Sequence, residues 1–265
     1  MLRSRIAISL LAYDVIWQAE GLQDKHLVLA TTSPGHTDEE RAVLEQQAWR
    51  ELEGLGLAQR GRPHPDLVDT MHLLARPQQE FYGWISAPET KQRAPLVAAS
   101  GQDAVLAEIQ GDVLSLEPVR PTALAEALVR TLPDRAPARG QSFNLPADAF
   151  GEQPRGRHSR GAEEDNGGGF LQSSGGSSGG ATPHRLRELM AKPRLAAGQL
   201  FTASRDRLGA RRRSAAGLTF FDVAEGRYMA AKTPGPDGQD WVFVAPADPR
   251  AMAQKLTEMA SGPTR

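Results

Sequence analysis

Apolar residues along this chain switch between a helical and a strand rhythm, and they do so twice in the same order. The clearer instance runs from Thr182 to Met259. In TPHRLRELMAKP, Thr182 stands where an N-cap belongs and Pro183 at the first helical position; Leu186, Leu189 and Met190 share one face, and Pro193 stops the helix. Four short runs follow, AAGQLFTA, GLTFFDV, EGRYMAA and QDWVFVA, each rich in aromatic and aliphatic residues. Turn formers such as Ala224-Glu225-Gly226 separate them, which predicts antiparallel hairpins. Asp248-Pro249 then caps a helix whose Met252, Leu256 and Met259 recur at i, i+4 and i+7.

The other instance begins at Pro65. Leu67, Met71 and Leu74 form a helical stripe that ends at Pro77, much as the later helix ends at Pro193. EFYGWISA, APLVAAS, DAVLAEIQ and DVLSLEPV are strand candidates, and Pro121-Thr122 opens a helix carrying Leu124, Leu128 and Leu132 on one side. Two units of helix, four strands and helix predict an internal duplication and a pseudo-twofold α+β body rather than a long repeat array. Ahead of them, residues 6–12 read as a short strand and Leu11 to Leu22 as a helix. His26 to Ala30 reads as a further strand. Thr37 with Glu40 is a capping box that starts a helix at Asp38 and carries it to Gly54 or Gly56. RGRPHPD, residues 60–66, reads as a loop.

The rhythm breaks only between the units. Residues 151–181 are dominated by Gly, Ser and charges and cannot bury enough apolar surface to offset chain entropy, so they read as a flexible insert. The domain reading is therefore one domain over 1–265, with an N-terminal half 1–133, an insert or linker 134–181 and a C-terminal half 182–265. At 265 residues and 40% hydrophobic content a normal core is within reach. The formal net charge of -1 supplies no general attraction to nucleic acid or to an anionic membrane. The chain has no cysteine, which removes disulfides, thiolate metal sites and cysteine nucleophiles and fits a reducing compartment. Asp14 interrupts the N-terminal apolar run and no membrane-length stretch exists, so a soluble cytoplasmic protein is expected.

Candidate chemistry is sparse. The six histidines lie in different elements without metal-ligand spacing, so no metal and no cofactor is expected. GGSSGG has neither a leading strand nor a following GK[ST] and reads as linker. Asp222 and Arg227 flank a hairpin turn and are expected to pair structurally rather than to catalyse. Arg205, Arg207, Arg211, Arg212 and Arg213 form the one concentrated basic run, on a hairpin, and support a second reading as a regulatory or nucleic-acid-binding protein. A hydrolase or transferase with a site assembled from distant residues is a third class. In FYGWIS, Tyr82 and Trp84 share one strand face and Phe81 and Ile85 the other, as in a strand packed on both sides. If that strand projected instead, its aromatics would be exposed anchors for another protein.

Taken together, SPGHTDEER, ELEGLGL, DLVDTMHLLARPQQEF, GQDAVLAEIQGDVLSLEPV, AAGQLFTASRDRLGARRR, GLTFFDVAEGRYMA and DGQDWVFVAPAD occur in an order that resembles the EspG family of ESX, or type VII, secretion-associated proteins of actinobacteria. GRY after a strand ending in Asp is its most telling piece. The resemblance implies an α+β fold with a central antiparallel sheet, flanking helices and an approximate twofold. It implies a cytosolic chaperone that binds the apolar helical tip of a PE–PPE-like heterodimer, keeps it soluble and directs it to the secretion system. It implies no catalytic residue; a monomer or weak homodimer is expected. Carried onto this chain by position, the contact surface is Tyr82, Trp84, Ser86, Ala87, Pro88, Glu89, Thr90, Lys91, Gln92 and Arg93, with Met252, Leu256 and Met259 on the last helix.

Overall fold

The computed structural model describes residues 1–88, 90–147, 181–235 and 238–262. The Gly/Ser-rich stretch expected to be flexible lies outside them except for Ala181. The N-terminal segment forms β1 (Ile6–Ser9), α1 (Leu10–Ala19) and α2 (Asp38–Gly54). Thr37 caps α2 by accepting from the Glu40 backbone N–H, while Glu40 accepts from the His36 N–H, one residue short of the reciprocal capping box.

The first unit then runs α3 (Pro65–Ala75), β4 (Gln79–Ala87), β5 (Thr90–Arg93), β6 (Leu96–Ser100), β7 (Asp103–Gln110), β8 (Val113–Pro118) and α4 (Leu124–Val129). Its mate is α5 (Ala181–Ala191), β10 (Ala196–Arg205), β11 (Arg211–Arg213), β12 (Leu218–Val223), β13 (Gly226–Pro234), β14 (Asp240–Pro246) and α6 (Pro249–Ser261). One antiparallel sheet in the order β1-β8-β7-β6-β4-β10-β12-β13-β14 holds both units, with β9 (Phe143–Pro146) on the outer edge of β14. The two meanders meet at the antiparallel pair β4 and β10, where Trp84 lies opposite Gln199.

The duplication extends to details. β1 closes the outer edge of one unit and β9 that of the other; β5 prolongs the β4 ladder past β6 as β11 prolongs the β10 ladder past β12. Because β4 and β10 run antiparallel, the two short hairpins leave the sheet at opposite ends. Gly83 and Gly198 occupy matching places at the join: a Cβ on Gly83 would stand 2.4 Å from the Gln199 carbonyl oxygen, and one on Gly198 2.2 Å from that of Trp84. Only glycine lets the two central strands come this close.

Period-two alternation on the strands divides the core into layers. Phe81, Ile85, Leu200, Leu218 and Phe220 pack beneath α4 and α6, which lie side by side with Leu128, Met252 and Leu256 fully buried. On the other face Tyr82, Val105, Leu114 and Phe201 meet α1, α2 and α3, while Phe221, Val223 and Tyr228 meet Leu186 and Leu189 of α5.

Four local expectations change. His26 to Ala30 is not a strand: Leu27–Leu29 is one turn of 3-10 helix, with the His26 ring accepting from Val28 N–H and the turn lying over β4 and β7. Val28 and Leu29 pack onto the sheet face, while Leu27 points out to solvent. RGRPHPD is not all loop: β2 (Ala58–Gln59) and β3 (Arg62–Pro63) form a small hairpin around Arg60 and Gly61, both at positive φ. Thr182 and Pro183 lie within α5, which already includes Ala181, so Thr182 is not its N-cap. Residues 134–147, grouped in sequence with the insert, belong to the fold, because Ala138 N–H donates to the Arg227 carbonyl and β9 adds to the sheet.

Candidate functional site

The strand that reads as apolar on both faces lies at the centre of the sheet, and that decides what its aromatics do. Tyr82 is fully buried. Its ring stacks on Phe201 at 5.7 Å and meets Trp84 edge-on at 5.7 Å, while Trp84 also meets Phe201 edge-on at 5.7 Å. Trp84 is half-buried beside two neutral β10 neighbours, Gln199 and Ala197, themselves half-buried.

Charge fastens this cluster from the side. Glu80, fully buried on β4, accepts from Arg211 Nε at 2.9 Å and Nη2 at 2.8 Å, and His26 Nε2 lies 3.2 Å away. Burial pushes the Glu80 carboxyl up, but the hydrogen bonds from His26 and Arg211 outweigh it and hold the group below its ordinary range. The Arg213 guanidinium sits over Phe201 at 5.1 Å and Arg211 over Tyr82 at 5.4 Å. Arg212 pairs with Asp206 at 3.0 Å. Three of the five arginines in the basic run are therefore joined to the protein's own carboxylates and rings, so the run does not present five free guanidinium groups.

The β4–β5 hairpin has a clamped base and an open tip. Arg93 donates Nε and Nη2 to the two Glu108 oxygens at 2.7 and 2.9 Å and Nη1 to the Thr131 carbonyl at 3.0 Å, tying the hairpin to β7 and to the chain after α4. Ser86, Pro88 and Gln92 are exposed and Ala87 is half-buried. Glu89 lies outside the described residues, and Thr90 and Lys91 are placed only as backbone in β5.

Helix α6 corrects the other half of the expected surface. Met252 and Leu256 are fully buried beneath the sheet, so with Tyr82 they are core residues with no surface to offer a partner. Met259, on the same stripe, is half-buried. The aromatic mate of Trp84, Phe201, and the clamp residues Glu80, His26 and Glu108 are absent from the expected set. Each is joined to the hairpin strand by cross-strand register or by a long-range ion pair, and a one-dimensional pattern carries neither.

Asp222 and Arg227 pair as expected, directly opposite across the β12–β13 ladder, with Nε to Oδ1 at 2.7 Å and Nη2 to Oδ2 at 2.8 Å. Arg227 Nη2 also donates to the Pro133 carbonyl at 2.7 Å, so both groups are occupied in holding the fold. Among the described residues no three His, Asp or Glu side chains gather where they could hold a metal ion, and no helix is long and apolar enough to cross a membrane.

Comparison with known proteins gives one family and one fold. Residues 9–258 match the model of the EspG family. No curated protein sequence matches the chain. Among solved structures, the Mycobacterium tuberculosis type VII secretion system chaperone EspG5, in complex with a PE25-PPE41 dimer, shares the fold with a TM-score of 0.62. That alignment covers 96% of this chain and 95% of the other at 14% identity, a level that speaks to fold and not to individual contacts.

Proposed function

Because the chain belongs to the EspG family, we propose that it is a type VII secretion chaperone for a PE–PPE-like heterodimer. It would work in the cytosol, covering the apolar helical tip of the client so that the client stays soluble and reaches its secretion machine. The observation that carries this reading is the family match along nearly the whole chain. Its support is the shared fold with EspG5, a chaperone solved with such a dimer. The reading involves no catalysis. We also take 1–133 and 182–265 as two halves of one working unit, since the single sheet runs through both.

The contact surface we assign is the open tip of the β4–β5 hairpin, Ser86 to Gln92, with Trp84 behind it and Met259 at the exposed end of the α6 stripe. A tip on a clamped base suits a docking role, because Arg93 already fixes the base of the hairpin and less conformational entropy is lost there when a client arrives. An apolar helical tip left uncovered self-associates, and burying it against a half-exposed indole removes that surface from water.

Co-expression with a tagged PE–PPE pair from the same host, followed by size exclusion, tests the reading. A stable complex of the three chains is expected, and Pro88→Asp with Gln92→Glu should abolish it while leaving the thermal midpoint of the free chaperone in place. Survival of the complex in that variant would move the contact away from the hairpin. Failure to capture any PE–PPE pair of the host would remove the chaperone assignment itself.

A further inference from the structure

At the opposite end of the central strands, the hairpin between β10 and β11 borders a cleft of about 760 Å³. The pseudo-twofold makes this hairpin the mate of the β4–β5 hairpin, and the length of β4 separates them by roughly 26 Å. Three guanidinium groups line the cleft: Arg76 from the end of α3, and Arg205 and Arg207 from the hairpin. Arg76 and Arg207 are exposed, and neither guanidinium has a hydrogen-bond or ion-pair partner among the described residues. Arg205 donates Nη1 to the Gly209 carbonyl at 3.1 Å, and its Nε is buried with no acceptor. Gly209, at φ +82°, has the Arg76 Nη2 2.6 Å from the place a Cβ would take, so the absence of a side chain lets that guanidinium rest on the hairpin tip.

The one carboxylate among the described lining residues is already used. Asp206 accepts from the Leu208 and Ala210 N–H groups through Oδ1 and from Arg212 through Oδ2, and the Arg212 bond leads in holding it below the usual carboxylate range. The cleft thus holds a local surplus of positive charge in a chain whose formal net charge is only -1. Gln78, Gln79, Ser100 and Ser204 add amides and hydroxyls suited to a peptide backbone. Among the described residues no aromatic ring lines the cleft, so a nucleobase has no stacking platform there, and Leu208 stands 93% exposed at the rim as an apolar contact.

We propose that this cleft binds an acidic peptide segment, with carboxylates seated in the guanidinium forks of Arg76 and Arg207 and a neighbouring aliphatic side chain covering Leu208. The planar fork of arginine matches a carboxylate bidentately, and the two forks have no competing carboxylate among the described residues. The site is separate from the client hairpin and stands without the chaperone reading.

Fluorescence anisotropy of the full chain with a labelled Glu-Glu-Leu-Glu-Glu peptide tests it at low and raised salt. Saturable binding that weakens with salt is expected. Arg76→Gln with Arg207→Gln should lower the affinity about tenfold or more. The thermal midpoint should move little, because neither guanidinium holds a hydrogen bond or ion pair among the described residues, and Gln92→Ala at the other hairpin should bind the peptide like the wild type. Equal affinity in the double variant, or no saturable binding, overturns the proposal. So does tighter binding of an oligothymidylate of matched charge at the same salt, which would give the cleft to nucleic acid.

Discussion

Removing Asp222 tests whether the most buried ion pair among the described residues is a structural element or the remnant of a reactive site. Asp222 and Arg227 are each 2% exposed, and in Asp222→Ala the guanidinium loses its Nε bond and one of two Nη2 bonds, keeping only the Pro133 carbonyl. Breaking a buried pair from one side leaves an uncompensated charge and costs about 3–5 kcal/mol. At about 2–4 °C per kcal/mol for chains of this size, the thermal midpoint should fall by roughly 6–20 °C. Replacing both partners, Asp222→Leu with Arg227→Met, removes the two charges together and should recover most of the loss, since the attraction within a buried pair is largely offset by the cost of desolvating it. Urea unfolding followed by circular dichroism, with a thermal scan at neutral pH, reads both variants. If Asp222→Ala unfolds within about 1 kcal/mol of the wild type, or if the double variant is no better than the single one, the account of this pair is wrong.

Three further outcomes follow from the packing. Gly198→Ala places a methyl against the Trp84 carbonyl and the Phe220 ring, and should cost about 1–3 kcal/mol or more in urea unfolding; a neutral substitution would mean that the central strands can separate without loss. Glu80 has a folded-state value held below its ordinary 4.5, so its contribution is complete above about pH 4.5 and is lost as the pH falls below that. Glu80→Gln should therefore lower stability at neutral pH and flatten the acid limb of the stability curve, and an unchanged acid limb counts against the His26–Glu80–Arg211 network. Leu256→Asp puts a charge into the core beneath α6 and should yield insoluble or non-cooperatively unfolding protein. A variant that melts like the wild type but loses its client would instead make that helix face a contact surface.

Much of the architecture is written locally. The helices α3, α5 and α6 and the strands β7, β12 and β14 follow from apolar spacing and from Pro77, Pro193 and Asp248, because backbone sterics and side-chain periodicity act over a few residues. The Asp222 to Arg227 pair is legible for the same reason: the short Ala224-Glu225 turn fixes the register that brings the two face to face. The duplication, too, shows as a repeated order of patterns. Local patterning did not show where the two copies join, nor which apolar stripes the join buries. Met252 and Leu256 look alike in sequence whether they pack inward or await a partner, since burial favours both equally; only the placement of α6 against α4 and the sheet made them core. The same holds for charge. Arg211 finds Glu80 131 residues away across the β10–β11 hairpin, while Arg76 and Arg207 find no carboxylate among the described residues, and a row of arginines in sequence cannot tell the paired from the free. Sequence alone determined the elements and their order, because these are set by neighbours along the chain; the tertiary structure decided which side chains remain available for binding, because that depends on which distant parts come to lie together.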